Sequence, residues 1–156
     1  MVRMKIMKKS ILALAALVLM AWGCSSDNDE DKKPVSPLLT QGTDQYPQWL
    51  EPDYSLYEQE MYVEVELQDT LTPYASSADL LCATIMNEVR AVSKPTVVND
   101  KYIFKLNVAS NDGGVNVQLK YYCDKLHRIY TCDWIRFDAN IEPTGEGDVY
   151  KPKFVK

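Results

Sequence analysis

The stretch Ser76-Ser77-Ala78-Asp79-Leu80-Leu81-Cys82-Ala83-Thr84-Ile85-Met86-Asn87-Glu88-Val89-Arg90-Ala91-Val92 decides the fold, because it fits two incompatible elements. Ser76-Ser77-Ala78-Asp79 has the form of a helix capping box, and Leu81, Ile85, Val89 and Val92 recur at near-helical spacing. The same residues also read as two strands folded about a tight turn at Met86-Asn87-Glu88. A helix here makes the chain mixed α and β, whereas a hairpin leaves it without a long helix. Local propensity does not choose between them.

Outward from this stretch the pattern is that of strands. Met61, Val63, Val65 and Leu67 alternate with Tyr62, Glu64 and Glu66, a period of two with carboxylates on the wet face. Tyr102, Phe104, Leu106 and Val108 alternate in the same way, and so do Val115, Val117, Leu119 and Tyr121. Between these two runs Ser110-Asn111-Asp112-Gly113-Gly114 supplies glycines able to take positive φ, which predicts a hairpin. Residues 129–137, rich in β-branched and aromatic side chains, follow the polar turn 124–128 and predict the next strand. Strands recurring at about ten-residue spacing predict an antiparallel β-sandwich of about seven strands, from near residue 60 to the C-terminus.

The chain has 156 residues, 46% hydrophobic, 10% aromatic and 25% charged, which suits one globular domain and excludes a fibrous rod or a polytopic membrane protein. Its first residues are read as outside that domain. Residues 1–10 carry Arg3, Lys5, Lys8 and Lys9 and no acid, and residues 11–22 have no charged or polar side chain. Such an order is that of a secretory signal peptide. As a helix the apolar run spans only about 18 Å, short of the roughly 30 Å hydrocarbon core. The expected division is a signal peptide over 1–23, a tether over 24–45 and the sandwich domain over 46–156. Residues 25–34, from Ser25 to Pro34, hold no apolar side chain and are expected to stay solvated. As a coil, residues 25–45 reach about 25 Å.

Leu19-Met20-Ala21-Trp22-Gly23-Cys24 resembles the lipobox of bacterial lipoproteins. In that family the cysteine sulfur is alkylated with diacylglycerol, the chain is cut before it and the new amine is acylated. The resemblance implies a membrane anchor at Cys24. The serine and acidic run behind it is similar to the export tag of Bacteroidetes surface lipoproteins, which implies the outer face of the outer membrane. Several acyl chains, at about 0.8 kcal/mol per buried CH₂, hold a protein on a membrane durably.

A second resemblance covers roughly residues 46–140. Residues 79–92 look like part of an Ig-like β-sandwich module of Bacteroidetes surface proteins, in which an Asp, a run such as Val-Ala-Ala-Phe, a turn and Glu-Cys-Arg-Gly-Val follow one another. Lys120-Tyr121-Tyr122 and Arg128-Ile129-Tyr130 look like that module's Lys-Tyr-Tyr and Arg-Ile-Tyr strands, while Val89 and Ala91 replace its usual Cys and Gly. This resemblance implies a hairpin over 79–94 and carries no catalytic chemistry.

Removal of residues 1–23 takes four of the 17 basic residues and none of the 22 acidic ones, leaving 13 against 22, a net charge of −9. An acidic chain of this kind argues against nucleic acid as a partner and against adsorption to anionic lipid by charge. Cys82, Cys123 and Cys132 remain, an odd number for an oxidising compartment. One bridge with a free thiol and three buried thiols both fit. Their spacings match no zinc signature, and three reduced, buried side chains are expected.

No catalytic group, metal site or cofactor is expected. His127, the only histidine, lies in a polar turn; Glu64 and Glu66 form a solvated strand face; Asn111, Asp112 and Asn116 suit a turn rather than a calcium loop. The one segment open to a ligand is residues 46–57, with four aromatics and two prolines. Trp49, Tyr54 and Tyr57 are candidate ligand-binding residues, since ring faces beside amide and carboxylate groups bind sugars. The alternative is a lead-in that covers an open edge or end of the sandwich. Two functions follow: a non-catalytic surface module capturing glycan or another ligand, or a structural or adhesive subunit holding a surface protein partner through its strand edges.

Overall fold

The structure, a computed structural model, describes residues 39–139 and 149–156. The signal peptide, Cys24 and tether residues 25–38 lie outside the described residues. Nine strand segments are present among the described ones: β1 (Gln59–Glu66), β2 (Leu80–Ile85), β3 (Glu88–Ser93), β4 (Thr96–Val98), β5 (Lys101–Ser110), β6 (Asn116–Cys123), β7 (Arg128–Cys132), β8 (Ile135–Arg136) and β9 (Phe154–Val155). They build an all-β sandwich. One sheet has the order β1-β5-β4, the other β3-β2-β6-β7-β9 with β8 also on β6, and all named pairs are antiparallel. Taken as B-E-D facing C′-C-F-G, β1-β5-β4 and β3-β2-β6-β7 follow the Ig-like strand order.

The decisive stretch is a hairpin. β2 and β3 pair from Ile85↔Glu88 outward, and Met86 and Asn87 at the tip take φ of 50° and 67°, the left-handed pair that a two-residue turn requires. The capping-box residues bond to each other without a helix, and their side-chain bonds run in one direction only. Ser76 N and Oγ donate to the Asp79 carboxylate, both at 2.9 Å, so Asp79 closes a turn ahead of β2.

The expected hairpin through residues 110–114 is corrected. β5 pairs with β1 and β4, whereas β6 pairs with β2, β7 and β8, so the glycine-containing loop is an arch from one sheet to the other. Gly114, at φ 70°, instead donates its N–H to Phe137 O, and Phe137 N donates to Val115 O. Alternation states which face a strand buries but not which strand lies beside it. Both edges of β5 are filled by other partners, and five residues suffice to span two sheets about 10 Å apart.

The strand expected over 129–137 is present in two pieces. β7 places Thr131 opposite Lys120 and β8 places Ile135 opposite Val117, so one extra residue is taken up at Asp133-Trp134. This bulge leaves Trp134 55% exposed.

Tyr121 lies at the centre of the core, stacked on Tyr130 at 5.9 Å and edge-on to Phe104 of the facing sheet at 5.9 Å. Phe154 completes the cluster at 5.6 Å. Such ring pairs add about 0.5–1.5 kcal/mol each beyond the area they bury. Cys82, Cys123 and Cys132 are buried free thiols, as expected.

A candidate ligand-binding cleft beneath an aromatic strap

Every residue of β2 is buried, which a two-layer sandwich with one wet face does not produce. Leu81, Ala83 and Ile85 face the core; Leu80, Cys82 and Thr84 face the other way and are buried as well. Residues 41–57 provide the cover. They cross the outward side of the larger sheet as a strap, from Tyr46 edge-on to Tyr122 of β6 at 5.3 Å to Tyr57, over whose ring the Arg90 guanidinium of β3 sits at 4.6 Å. Tyr122 is outward by register, paired with Leu80, and Arg90 is outward because its neighbour Ala91 is in the core.

Both ends of the strap are fastened. Gly42 N donates to Leu126 O at 2.7 Å and Asp44 N to His127 O at 2.9 Å, while Asp44 Oδ2 accepts from Ile129 N at 2.8 Å. A Cβ on residue 42 would stand 2.4 Å from His127 O, so only glycine allows this approach. These bonds carry the ordered contacts back beyond residue 46. At the other end Asn111 Oδ1 accepts from Glu58 N at 2.9 Å and Asn111 Nδ2 donates to Leu56 O at 3.2 Å. Between the ends Asp53 accepts from Ser55 N and Oγ and sets the single turn Tyr54–Leu56; these bonds hold its carboxyl below the usual carboxylate range.

The strap leaves a cleft of about 530 Å³ against the seam between the sheets. Residues 46–51 form one wall and Leu80, Val92, Lys94 and Lys105 part of the other. The seam exists because the chain changes sheets at Lys94-Pro95, passing from β3 to β4, and Ser93 Oγ accepts from Lys105 N at 3.3 Å where β4 has ended. Lys105 Nζ is 2.9 Å from Glu64 Oε1, which also accepts from the Tyr62 hydroxyl at 2.6 Å. Those two donors, Tyr62 first, lower the Glu64 pKa, and Glu64 raises that of Lys105.

Of the candidates read from sequence, Trp49 lines this cleft, half-buried, together with Tyr46. Tyr54 and Tyr57 do not line it. Tyr57 gives a ring face to Arg90, and the Tyr54 hydroxyl has its pKa raised by burial and then by the charges of Glu51 and Glu60. Lys94 and Lys105 were not legible as site residues, since only the sheet change and the strap bring them beside Trp49. A second cleft, of about 310 Å³, lies over Leu67, Ala75 and Tyr102. Lys101 and Lys151 there converge on Glu66 at 3.0 and 2.9 Å, so its charges are spent on one another.

Comparison with family models, with curated proteins and with solved structures finds no match to this chain.

Proposed function

We propose that the chain is a non-catalytic binding module, displayed on the outer face of a bacterial outer membrane by lipid at Cys24, with the cleft under the strap as its ligand site. The observation that carries this reading is the cleft itself, about 530 Å³ with Trp49 and Tyr46 in one wall and amide, ammonium and carboxylate groups around them. This size falls in the range of small-molecule sites, and ring faces ringed by polar groups suit a saccharide. Support for an absence of chemistry comes from the groups that catalysis would need. His127, the sole histidine, sits at φ 45° in the β6–β7 turn, its carbonyl accepting from Asp44 and its ring beside the Tyr122 hydroxyl at 3.4 Å.

The test is a glycan array probed with the mature chain in detergent, wild type and Trp49→Ala. Retention of one glycan class is expected, weakened about fivefold or more by the substitution, in line with aromatic anchors elsewhere. Silence of the wild type on the array overturns the saccharide reading.

One observation favours the interaction reading. β4 is an edge strand exposed at all three residues, with Val97 64% exposed. An unpaired strand edge of this kind accepts a strand from another protein. Co-purification of a surface protein, lost on Val97→Pro, supports this reading over glycan capture.

A further inference from the structure

The charges around Trp49 point to a specific class of saccharide. The mature chain is acidic, 13 basic against 22 acidic residues, and its ion pairs take up Lys101 and Lys151 on Glu66, Lys105 on Glu64, and Arg90 on Glu88. Lys94 is different. It is exposed, lines the cleft and has no ion-pair partner among the described residues. Lys105, on the other strand of the seam, lines the same cleft and retains donors beyond the one that meets Glu64. Against these two ammonium groups the lining holds one carboxylate, Glu51, on the strap side. Glu64 already holds Lys105 at 2.9 Å, so the seam side offers one uncommitted ammonium, that of Lys94, beside the Lys105–Glu64 pair.

From this geometry we infer that the cleft takes an anionic saccharide, one sugar ring lying on Trp49 and its carboxylate or sulfate meeting Lys94, with Lys105 beside it. The inference rests on the saccharide reading and narrows it to one class. Neutral sugar rings satisfy the aromatic wall and the amide of Gln48 but leave Lys94 without a partner. Acidic rings satisfy both walls, and a solvent-exposed charge pair of this kind contributes up to about fivefold in affinity.

The experiment is titration calorimetry of the mature full chain in detergent against three probes: an oligogalacturonate, the same oligosaccharide with its carboxylates reduced to alcohols, and a sulfated galactan oligosaccharide. One anionic probe is expected to bind about fivefold more tightly than the reduced one, and which of the two does so separates a carboxylate site from a sulfate site. Lys94→Gln should remove most of that margin, weakening the anionic probe more than the reduced one, and added salt should shrink it. Residue 94 is exposed, so the substitution does not threaten folding. Equal or tighter binding of the reduced probe overturns the anionic assignment and leaves glycan capture standing. Heat from none of the three probes, with silence on the array, overturns both.

Discussion

The Tyr121 hydroxyl donates to Asp79 Oδ2 at 2.7 Å across 42 residues of chain, and neither side chain meets solvent. The same carboxylate accepts from Ser76 N, Ser76 Oγ and Asp124 N at 2.9 Å each. It thus ties the turn before β2, the centre of β6 and the start of the β6–β7 turn to one buried point. Burial, and then the charge of Asp79, pushes the Tyr121 hydroxyl far above the ordinary tyrosine range.

Asp79→Ala strands these donors in the interior and is expected to cost about 3–5 kcal/mol, whereas Tyr121→Phe removes one hydrogen bond and costs about 1–2 kcal/mol. Urea unfolding followed by circular dichroism measures both. Equal losses in the two variants would show that Asp79 does not gather the other donors.

Gly42→Ala places a methyl group against the His127 carbonyl, and the strap must lift to admit it. The expected loss is about 1–3 kcal/mol, concentrated at this end of the strap. Hydrogen exchange should quicken at the amides of Gly42, Asp44 and Ile129 while the amides of β5 keep their protection. A uniform change across the sheets would count against a local anchor.

The thiol of Cys82 is pushed up to about 12 by burial, with Lys120 drawing it partly back. Because the folded value lies above the unfolded one, the folded chain keeps its proton where the unfolded chain releases it. Stability is therefore full below about pH 9 and falls as pH rises from about 9 toward 12, by about 1.4 kcal/mol per unit for this group. Tyr130, raised to about 12 by burial, adds to the slope above pH 10. Urea midpoints taken between pH 7 and 11 should show the decline, and Cys82→Ala should flatten its onset near pH 9.

Metabolic labelling with a palmitate analogue tests the anchor. Label is expected on the wild type and not on Cys24→Ala; equal label on both would end the lipoprotein proposal.

What the sequence disclosed was face, and what it concealed was neighbour. Met61 and Val65 are buried where alternation predicts them, because burial depends on a residue's own side of the strand. The partner of β5 depends on sheets assembled from distant residues, so Gly113-Gly114 read as a hairpin when it is an arch. Val89 and Val92 fit a helix as well as a strand, and the paired positive φ of Met86 and Asn87 with the β2–β3 register separates the two. Trp49 was legible because aromatics are dense around it. That Tyr57 meets Arg90, and that Lys94 and Lys105 stand across from Trp49, follows from where the strap crosses the sheet, for which no local residue pattern codes.

The strap also fixes how the molecule takes a mechanical load. Any tension applied from the N-terminal side enters the described body through Leu39 on the core, the Gln41 carbonyl held by Arg128 at 3.2 Å, and the Gly42 and Asp44 bonds to the β6–β7 turn. These are a few contacts that open one after another, whereas the eight-residue pairing of β1 with β5 lies further along the chain. A pull peels residues 39–57 first and bares Tyr122, Leu80 and the cleft wall while the two sheets hold. The strap therefore parts before the sheets do and acts as a mechanical fuse between the pulling end and the fold.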